Sequence, residues 1–373
     1  MRRVIATAVA LLLCCAASAN AAPPPVQSAA YVVENAASGE VLAQRHAYEH
    51  LPIASITKLM TVLVALDHLR PDQVVTVRRA AAAVGESTIN LRPGERLSVR
   101  DLVKGALIQS ANDAADALAD AAANGSGATF VRWMNERAQR MGLSGTHFVR
   151  PDGLDASGAF STAHDVARLA QVAMHNAEIR SAVAEQYDVI AGGRRLHTWD
   201  DLLGRFPGLV GVKTGHTRAA GWCQVAAVRR TGYTLYAVVL GDPTRSVRND
   251  DLTSLLSWGV SRYRTAPVVD ESTVYAQVRP DWGRRPLDLV ASKPLVRVYR
   301  IDHPLVVRAL AARAVALPIR RGQAFGEVQV WDGGRLLGTR PLVATRSVTK
   351  PGFFGRVGFF AGQTAHHLWG WVS

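Results

Sequence analysis

Two lysines stand out among the residues that could do chemistry. Of the 43 basic residues only five are lysines, and two of these, Lys58 and Lys213, lie in short motifs that also contain hydroxyl residues. Lysine can lose its proton and act as a base, whereas arginine stays charged in proteins. The motifs are Ser55-Ile-Thr-Lys58, Ser110-Ala-Asn112 and Lys213-Thr-Gly215. Each is weak alone, but their order indicates nucleophilic serine chemistry.

Ser55 is the candidate nucleophile and Lys58 its candidate base. A serine hydroxyl needs a base within hydrogen-bond reach, and two residues three positions apart share one face of a helix. At the N-terminus of that helix, the positive end of the dipole favours a neutral lysine. Burial and a second cation lower a lysine pKa further, and Lys213 is the candidate for that cation.

The other two motifs supply groups that could assist. We expect Ser110 and Asn112 in a loop between helical stretches, where Ser110 could pass a proton to the leaving amine and Asn112 could hold Lys58 or a substrate amide. Gly215 suits a strand edge that a substrate backbone approaches closely. The backbone N–H groups of Ser55 and His216 would then form an oxyanion hole.

Hydrophobic patterning predicts the elements that position these residues. The segment that begins at Ser55 is apolar nearly all round, which is typical of a helix buried in a core. The remaining predicted elements are a hairpin over 30–44, Ala-rich helices over 101–123 and 126–141, strands Leu209–Gly215, Gly221–Arg229 and Tyr233–Gly241, and a helix Asp250–Trp258. Helices that are grouped between sets of strands predict a mixed α/β domain, of the α+β class. Its sheet would be antiparallel and flanked by helices.

The chain divides into five predicted segments. Residues 1–21 have the charged start, apolar stretch and small-residue cleavage site of a secretory signal peptide. A Pro-rich leader follows over 22–29, then a catalytic domain over 30–265, a small all-β domain over 266–350 and an amphipathic tail over 351–373. Removing the signal leaves Cys223 as the one cysteine, so the mature chain has no internal disulfide.

Positive charge is concentrated in the last third of the chain. Residues 266–373 contain 15 basic and 7 acidic residues, a net charge of +8 out of +13 for the whole chain. An exported protein with this distribution suits an anionic membrane surface or wall polymer, and nucleic acid is not expected as a partner. The tail could lie in a membrane interface, or it could dock on its own β domain.

The three motifs and their surroundings resemble the low-molecular-mass penicillin-binding proteins, the serine-type D-alanyl-D-alanine carboxypeptidases. The likeness covers roughly residues 30–350 and includes further short segments. These are Ala54–Thr61, Ser110–Ala114, Met134-Asn135, Thr146–Phe148, Asp152–Leu154, Ser161–Ala163 and Lys213–Thr217. The resemblance implies the penicillin-binding transpeptidase and β-lactamase-like fold, an export to the periplasmic face of the cytoplasmic membrane, and association with that membrane through the tail.

The resemblance also implies roles. Ser55 would be acylated by the penultimate D-alanine of the peptidoglycan stem peptide, with Lys58 as base and with Ser110 and Asn112 assisting. Lys213, Thr214 and Arg248 would bind the terminal carboxylate. β-Lactams would acylate the same serine. The sequence departs from the family pattern before the nucleophile, at Leu51–Ala54, and upstream of the third motif, at 198–203.

Other functions are less well supported. A serine β-lactamase needs a second carboxylate base, and the sequence has no Glu-x-x-Leu-Asn between its second and third motifs. A D,D-endopeptidase of the same family stays open because its chemistry is identical. A non-catalytic wall-binding protein is disfavoured because every catalytic side chain is present. The sequence has no His-Glu-x-x-His, so neither a metal nor another cofactor is expected.

Overall fold

The structure of the chain, a computed structural model, describes residues 9–12, 22–282 and 284–352. The rest of the predicted signal peptide, and the predicted tail from residue 353 onward, lie outside these residues. The chain divides into two compact units, one of residues 22–261 and one that contains 262–352 together with the strand at 9–12.

The described strands are Val9–Leu12 (β1), Ala30–Asn35 (β2), Glu40–Arg45 (β3), Val74–Thr76 (β4), Arg96–Ser98 (β5), Tyr187–Ile190 (β6), Arg194–His197 (β7), Leu209–Thr217 (β8), Gly221–Arg230 (β9), Tyr233–Asp242 (β10), Tyr263–Val269 (β11), Val274–Pro280 (β12), Leu287–Ala291 (β13), Leu295–Arg300 (β14), Leu305–Ala311 (β15), Ala314–Val315 (β16), Ala324–Asp332 (β17) and Arg335–Ala344 (β18). The α-helices are Lys58–His68 (α1), Arg79–Ala82 (α2), Val99–Leu107 (α3), Asn112–Ala122 (α4), Gly127–Arg140 (α5), Ala163–Ala173 (α6), Ala177–Val183 (α7) and Arg245–Ser261 (α8). Two short 3₁₀ helices cover Ala54–Thr57 and Ala191–Gly193.

An antiparallel sheet organises the 22–261 unit. Its five strands lie in the order β3-β2-β10-β9-β8. Successive residues of a strand face opposite sides, so Val32 and Val238 pack into a core with α1 and α6, whereas Val33 and Val239 pack with α8 on the other face. The predicted antiparallel sheet flanked by helices is therefore confirmed.

The helix that carries the first motif is central to this unit. Lys58–Ala65 are all buried, which agrees with the apolar character of the segment on every side. The preceding 3₁₀ helix brings Ser55 to its N-terminal end.

The predicted helical region over 101–123 is divided by the loop that was expected around Ser110. Helix α3 ends at Leu107 and α4 begins at Asn112, and between them Ser110 adopts a left-handed φ of 61°. Helix α8 begins at Arg245, five residues before the predicted Asp250.

Two predicted boundaries differ from the structure. The Pro-rich leader is not a separate segment at its C-terminal end, because Ser28 is buried and its Oγ donates a hydrogen bond to Asp251. The boundary between the two units falls between residues 261 and 262, and not between 265 and 266 as predicted. Strand β11 begins at Tyr263 and pairs with β14 of the second unit.

The second unit is all-β. Its main sheet has seven strands in the order β1-β15-β17-β18-β13-β12-β16, and β11 and β14 form a separate pair. Val278, Leu289, Val328 and Leu342 lie in its fully buried core. Gly333 and Gly334 join β17 to β18 with the positive φ angles that a two-residue hairpin requires.

Candidate active site

Ser55 and Lys58 meet at the junction of the first 3₁₀ helix and α1. Lys58 Nζ donates a hydrogen bond to Ser55 Oγ at 2.7 Å, as their spacing predicted. Ala54, directly before the serine, has a left-handed φ of 48°. A non-glycine residue in this conformation is strained, and such strain is concentrated at functional sites. The short contact between Ser55 and Lys58, with the strained Ala54 beside it, therefore indicates a functional site.

Lys58 is held from two further directions. Its Nζ also donates to Asn112 Oδ1 at 2.7 Å and to the backbone oxygen of Asp152 at 2.6 Å. Burial lowers the pKa of Lys58 to about 8, while the nearby carboxylates, Asp152 first, act in the opposite direction. A larger share of neutral amine near neutral pH is what a general base needs.

Lys213 and Lys58 share this buried site, and the repulsion between two ammonium groups acts on both of them. Carboxylates are the main charges acting on Lys58, and they raise its pKa. The pKa of Lys213 is lowered well below its usual value by burial and next by the charge of Lys58. Two ammonium groups in one buried site are therefore disfavoured, and the first proton is lost easily.

The second and third motifs meet through a side-chain hydrogen bond. Lys213 Nζ donates to Ser110 Oγ at 2.8 Å and to the backbone oxygen of Thr214 at 3.0 Å. Ser110 lies in the loop between α3 and α4, as expected, but Asn112 is the first residue of α4. All three motifs thus surround one point, although 158 residues separate Ser55 from Lys213 in the chain.

Gly215 has a steric reason to be glycine. A Cβ at this position would lie 2.7 Å from the backbone oxygen of Ile53 and 3.2 Å from the backbone nitrogen of Ser55. Gly215 is on β8, an edge strand of the sheet. Absence of a side chain therefore lets the strand edge approach the nucleophile closely.

A cavity of about 250 Å³ opens beside the nucleophile. Its lining residues come from all three motifs and from segments the motifs do not include. They are Ser55, Glu86, Ser87, Ser110, Trp199, Thr214, Gly215, His216, Trp222 and Arg248. A second cavity of about 380 Å³ is lined by the Ile53-Ala54 segment and by residues between 147 and 160.

Arg248 is buried in the wall of the first cavity. Its guanidinium donates hydrogen bonds to Asn249 Oδ1 and to Asp201 Oδ2, and it lies over the Trp222 ring at 5.7 Å. The His216 ring packs against the same tryptophan, with ring centroids 4.1 Å apart. Trp222 therefore borders the cleft and orients two residues that the sequence had singled out.

Several residues of the site were missed at the level of sequence. Glu86 and Trp199 line the cavity, and the backbone oxygen of Asp152 binds the candidate base. Trp199 lies in the segment 198–203 that departs from the family pattern, as does Asp200, whose burial raises its pKa. That departure was the available signal. Asp152 contributes a backbone atom, for which residue type gives no signal.

Among the described residues, no cluster of His, Cys, Asp and Glu could hold a metal ion. Cys223 is fully buried, and that burial raises the pKa of its thiol to about 12, so it is not a thiolate nucleophile. Within the same part of the chain, no helix combines the length and apolar character that a membrane span requires.

Comparisons with known proteins agree with the fold and the site. Residues 17–244 match the family model described as D-alanyl-D-alanine carboxypeptidase. The chain is 33% identical to D-alanyl-D-alanine carboxypeptidase DacC of Escherichia coli (strain K12), over 92% of this chain and 90% of that protein. It is 30% identical to DacF of Bacillus subtilis (strain 168), over 85% of this chain and 84% of that protein.

Solved structures give the same result. The crystal structure of penicillin binding protein 6B from Escherichia coli matches with a TM-score of 0.65 and 29% identity, covering 87% of this chain and 97% of that one. Penicillin-binding protein D2 from Listeria monocytogenes in the ampicillin-bound form matches with a TM-score of 0.59 and 32% identity, covering 64% of this chain and all of that one.

The fold and the site define a serine-type acyl-transfer hydrolase. The chain belongs to the D-alanyl-D-alanine carboxypeptidase family, and it is a serine-type carboxypeptidase of that family.

Proposed function

We propose that this enzyme removes the terminal D-alanine from peptidoglycan pentapeptides through an acyl-enzyme on Ser55. The observation that carries the proposal is the 2.7 Å contact between Lys58 Nζ and Ser55 Oγ. A neutral lysine has two N–H groups, and Asn112 Oδ1 and the Asp152 oxygen are placed to accept both. The nitrogen lone pair is then directed at the hydroxyl of Ser55.

The reaction follows in two steps. Ser55 Oγ attacks the carbonyl carbon of the penultimate D-alanine while its proton passes to Lys58, and the backbone N–H groups of Ser55 and His216 stabilise the oxyanion. Ser110 relays a proton to the leaving amine, and D-alanine departs. Water then hydrolyses the ester on Ser55, which leaves a tetrapeptide and restores the hydroxyl.

The terminal carboxylate binds on the far side of the cavity. Lys213 and Thr214 face it from β8, and Arg248 faces it from the cavity wall. The bond from Lys213 Nζ to Ser110 Oγ connects carboxylate binding to the proton relay, because the same amine contacts both and a bound carboxylate favours its protonated form. Loss of the carboxylate from a substrate therefore weakens both binding and protonation of the leaving group.

β-Lactams acylate the same serine, because their strained amide presents a carbonyl and a carboxylate in the arrangement of the peptide. A relative at 32% identity has been solved in its ampicillin-bound form. The enzyme acts on the extracytoplasmic side of the membrane, in the periplasm, after export by the signal at 1–21. The basic β domain and the tail at 351–373 keep it at the membrane surface.

The test is a pair of measurements on the Ser55→Ala variant. Fluorescent penicillin should label the wild type covalently and should fail to label the variant. Mass spectrometry of a purified pentapeptide should show loss of one alanine with the wild type and a rate at least about 10⁴-fold lower with Ser55→Ala. Cleavage of cross-linked dimers instead would identify a D,D-endopeptidase.

The matched control is Ser157→Ala, which removes an exposed hydroxyl from the second cavity. This variant should be labelled and should release D-alanine like the wild type. Labelling that persists in a folded Ser55→Ala protein, as judged by an unchanged melting temperature, would mean that another residue is the nucleophile.

A further inference from the structure

The loop between α2 and β5 holds two non-glycine residues, Glu86 and Asn90, in a left-handed backbone conformation. Glu86 has a φ of 64°, a left-handed value that strains a glutamate, whereas asparagine, the residue type at 90, tolerates this conformation. The loop is tied to the second motif on both sides of it. Asn112 Nδ2 donates to the oxygen of Gly85 at 3.0 Å, and the backbone N–H of Asn112 donates to the oxygen of Ser87 at 2.7 Å. The position of Glu86 is thereby coupled to the catalytic machinery.

The carboxylate of Glu86 is an unneutralised charge at the edge of the site. Glu86 is exposed and lines the cavity that contains Ser55. Within the described residues, its carboxylate receives neither a hydrogen bond nor an ion pair. A strained residue that brings an unpaired charge to a cleft is a candidate for ligand recognition, because nothing in the fold itself uses that charge.

The contacts of its loop indicate which part of a substrate Glu86 meets. Gly85, the residue before it, accepts a hydrogen bond from Asn112 Nδ2, and Asn112 Oδ1 accepts one from Lys58. Lys213 is instead bonded to Ser110, and Arg248 is bonded to Asp201. Glu86 therefore lies on the Asn112 side of Ser55, where Asn112 can hold an amide of the acyl donor.

We propose that Glu86 is a specificity-determining residue that favours acyl donors with a positively charged side chain and disfavours those with a negatively charged one. In a peptide, this means a diamino residue with a free ammonium group directly before the two terminal D-alanines. The assignment rests on the proposed function, because it presumes that the acyl donor reaches Ser55 through this cavity.

Attraction of a cation to an exposed carboxylate is modest and is screened by salt. The charge of Glu86 attracts a cationic side chain and repels an anionic one. The ratio of the acylation rates of two such donors therefore reports its effect most clearly. Changes that alter Lys58 alone affect all donors equally and cancel in that ratio. This cancellation matters because the charge of Glu86 also acts on the base.

The experiment measures acylation by three penicillins that share one nucleus and carry a neutral phenylacetyl, an α-amino-phenylacetyl or an α-carboxy-phenylacetyl side chain. At a pH that keeps the amine protonated, the ratio of second-order acylation constants, amino over carboxy, should fall about 3- to 10-fold in Glu86→Gln. Salt at about 0.5 M should lower this ratio in the wild type and leave it unchanged in the variant.

Two further variants complete the design. Glu86→Gly removes the charge and the strain together, so it should lose the selectivity while its melting temperature rises. Glu185→Gln, which changes an exposed glutamate outside both cavities, should keep the wild-type ratio. For peptides, Glu86→Gln should reduce the preference for a free over an acetylated side-chain amine by a similar factor.

The outcomes separate the two proposals. A ratio unchanged in Glu86→Gln and Glu86→Gly, with normal acylation by the neutral penicillin, would overturn the role of Glu86 and leave the proposed function standing. A wild type that none of the three penicillins acylates would overturn the proposed function, and the role of Glu86 with it.

Discussion

Lys58 is a charged residue type in surroundings that disfavour its charge. It is fully buried, and its Nζ has three oxygen partners, from Ser55, Asn112 and Asp152. Burial lowers its pKa to about 8, and the carboxylates nearby prevent a larger decrease. The pKa of Lys58 therefore stays close to the working pH, where the amine can both accept a proton and return it. This is the optimum for general base catalysis near neutral pH.

The pH dependence of acylation should reveal this base. Since only neutral Lys58 can accept the proton of Ser55, the acylation rate at saturating penicillin should rise about tenfold per unit well below pH 8 and level off above it. Rapid-mixing fluorescence between pH 6 and 9 measures the profile. Lys58→Arg, which stays charged, should be inactive throughout. A rate independent of pH over this range would exclude Lys58 as the base.

At the scale of elements, the segment before β2 is fastened by two carboxyl groups. Ser28 Oγ lies 2.8 Å from Asp242 Oδ1 at the end of β10 and 2.9 Å from Asp251 Oδ2 in α8. Asp251 also accepts from the backbone N–H groups of Gln27 and Ser28. One hydroxyl proton cannot serve two carboxylates, so a carboxyl proton is needed as well. Burial accordingly raises the pKa of Asp242 to about 7.

This network should make stability depend on pH. Between the unfolded pKa of 3.8 and the folded pKa of about 7, the folded state binds a proton that the unfolded state has lost. The stabilisation from protonated Asp242 is complete below that range and is lost as pH rises through about 7. In Asp242→Asn, whose side chain is always neutral, the decrease in melting temperature from pH 5 to pH 8 should be smaller by about 2–4 °C.

Asp250→Asn is the matched control, because it changes an exposed aspartate of the same helix and should keep the wild-type dependence. Asp116, whose pKa burial also raises to about 7, contributes a further decrease of the same sign in all three proteins. A decrease in Asp242→Asn equal to that of the wild type would show that the buried pair does not carry the proton.

At the scale of the whole molecule, the chain separates its catalytic residues from its excess charge. Every residue assigned to the site belongs to the 22–261 unit, whereas residues 266–373 carry a net charge of +8. Charge of this sign attracts anionic lipid head groups at a range limited by the salt concentration. The proposed membrane association adds to this attraction the burial of apolar and aromatic residues of the tail in the interface.

Deleting residues 351–373 should release the enzyme from membranes without changing its activity on a soluble pentapeptide. The reason is that interfacial binding needs an apolar contribution in addition to charge. Sedimentation with vesicles of phosphatidylethanolamine and phosphatidylglycerol measures binding, and full-length Ser55→Ala should still sediment. A truncated protein that sediments, and is released by about 0.5 M salt, would assign membrane binding to the basic β domain alone.

The parts of this protein that its sequence alone determines are local. The spacing of Ser55 and Lys58 places them on one helical face, and the continuous apolar runs of β9 and β10 are typical of strands that are buried on both faces. These features depend on neighbours within a few residues, so they can be predicted without the fold. The loop at Ser110 was also expected, but its left-handed backbone was not, because contacts such as the bond from Lys213 Nζ to Ser110 Oγ join residues far apart in the chain.

Tertiary structure decided what surrounds the base. The oxygen of Asp152 reaches Lys58 from 94 positions away, and Lys213 touches Ser110 across 103. Glu86 enters the cavity because Asn112 binds the residues on both sides of it. Burial, which sets the pKa of Lys58, results from packing of the whole unit around α1. Such effects depend on distance in space, and a linear pattern of residue types does not contain that distance.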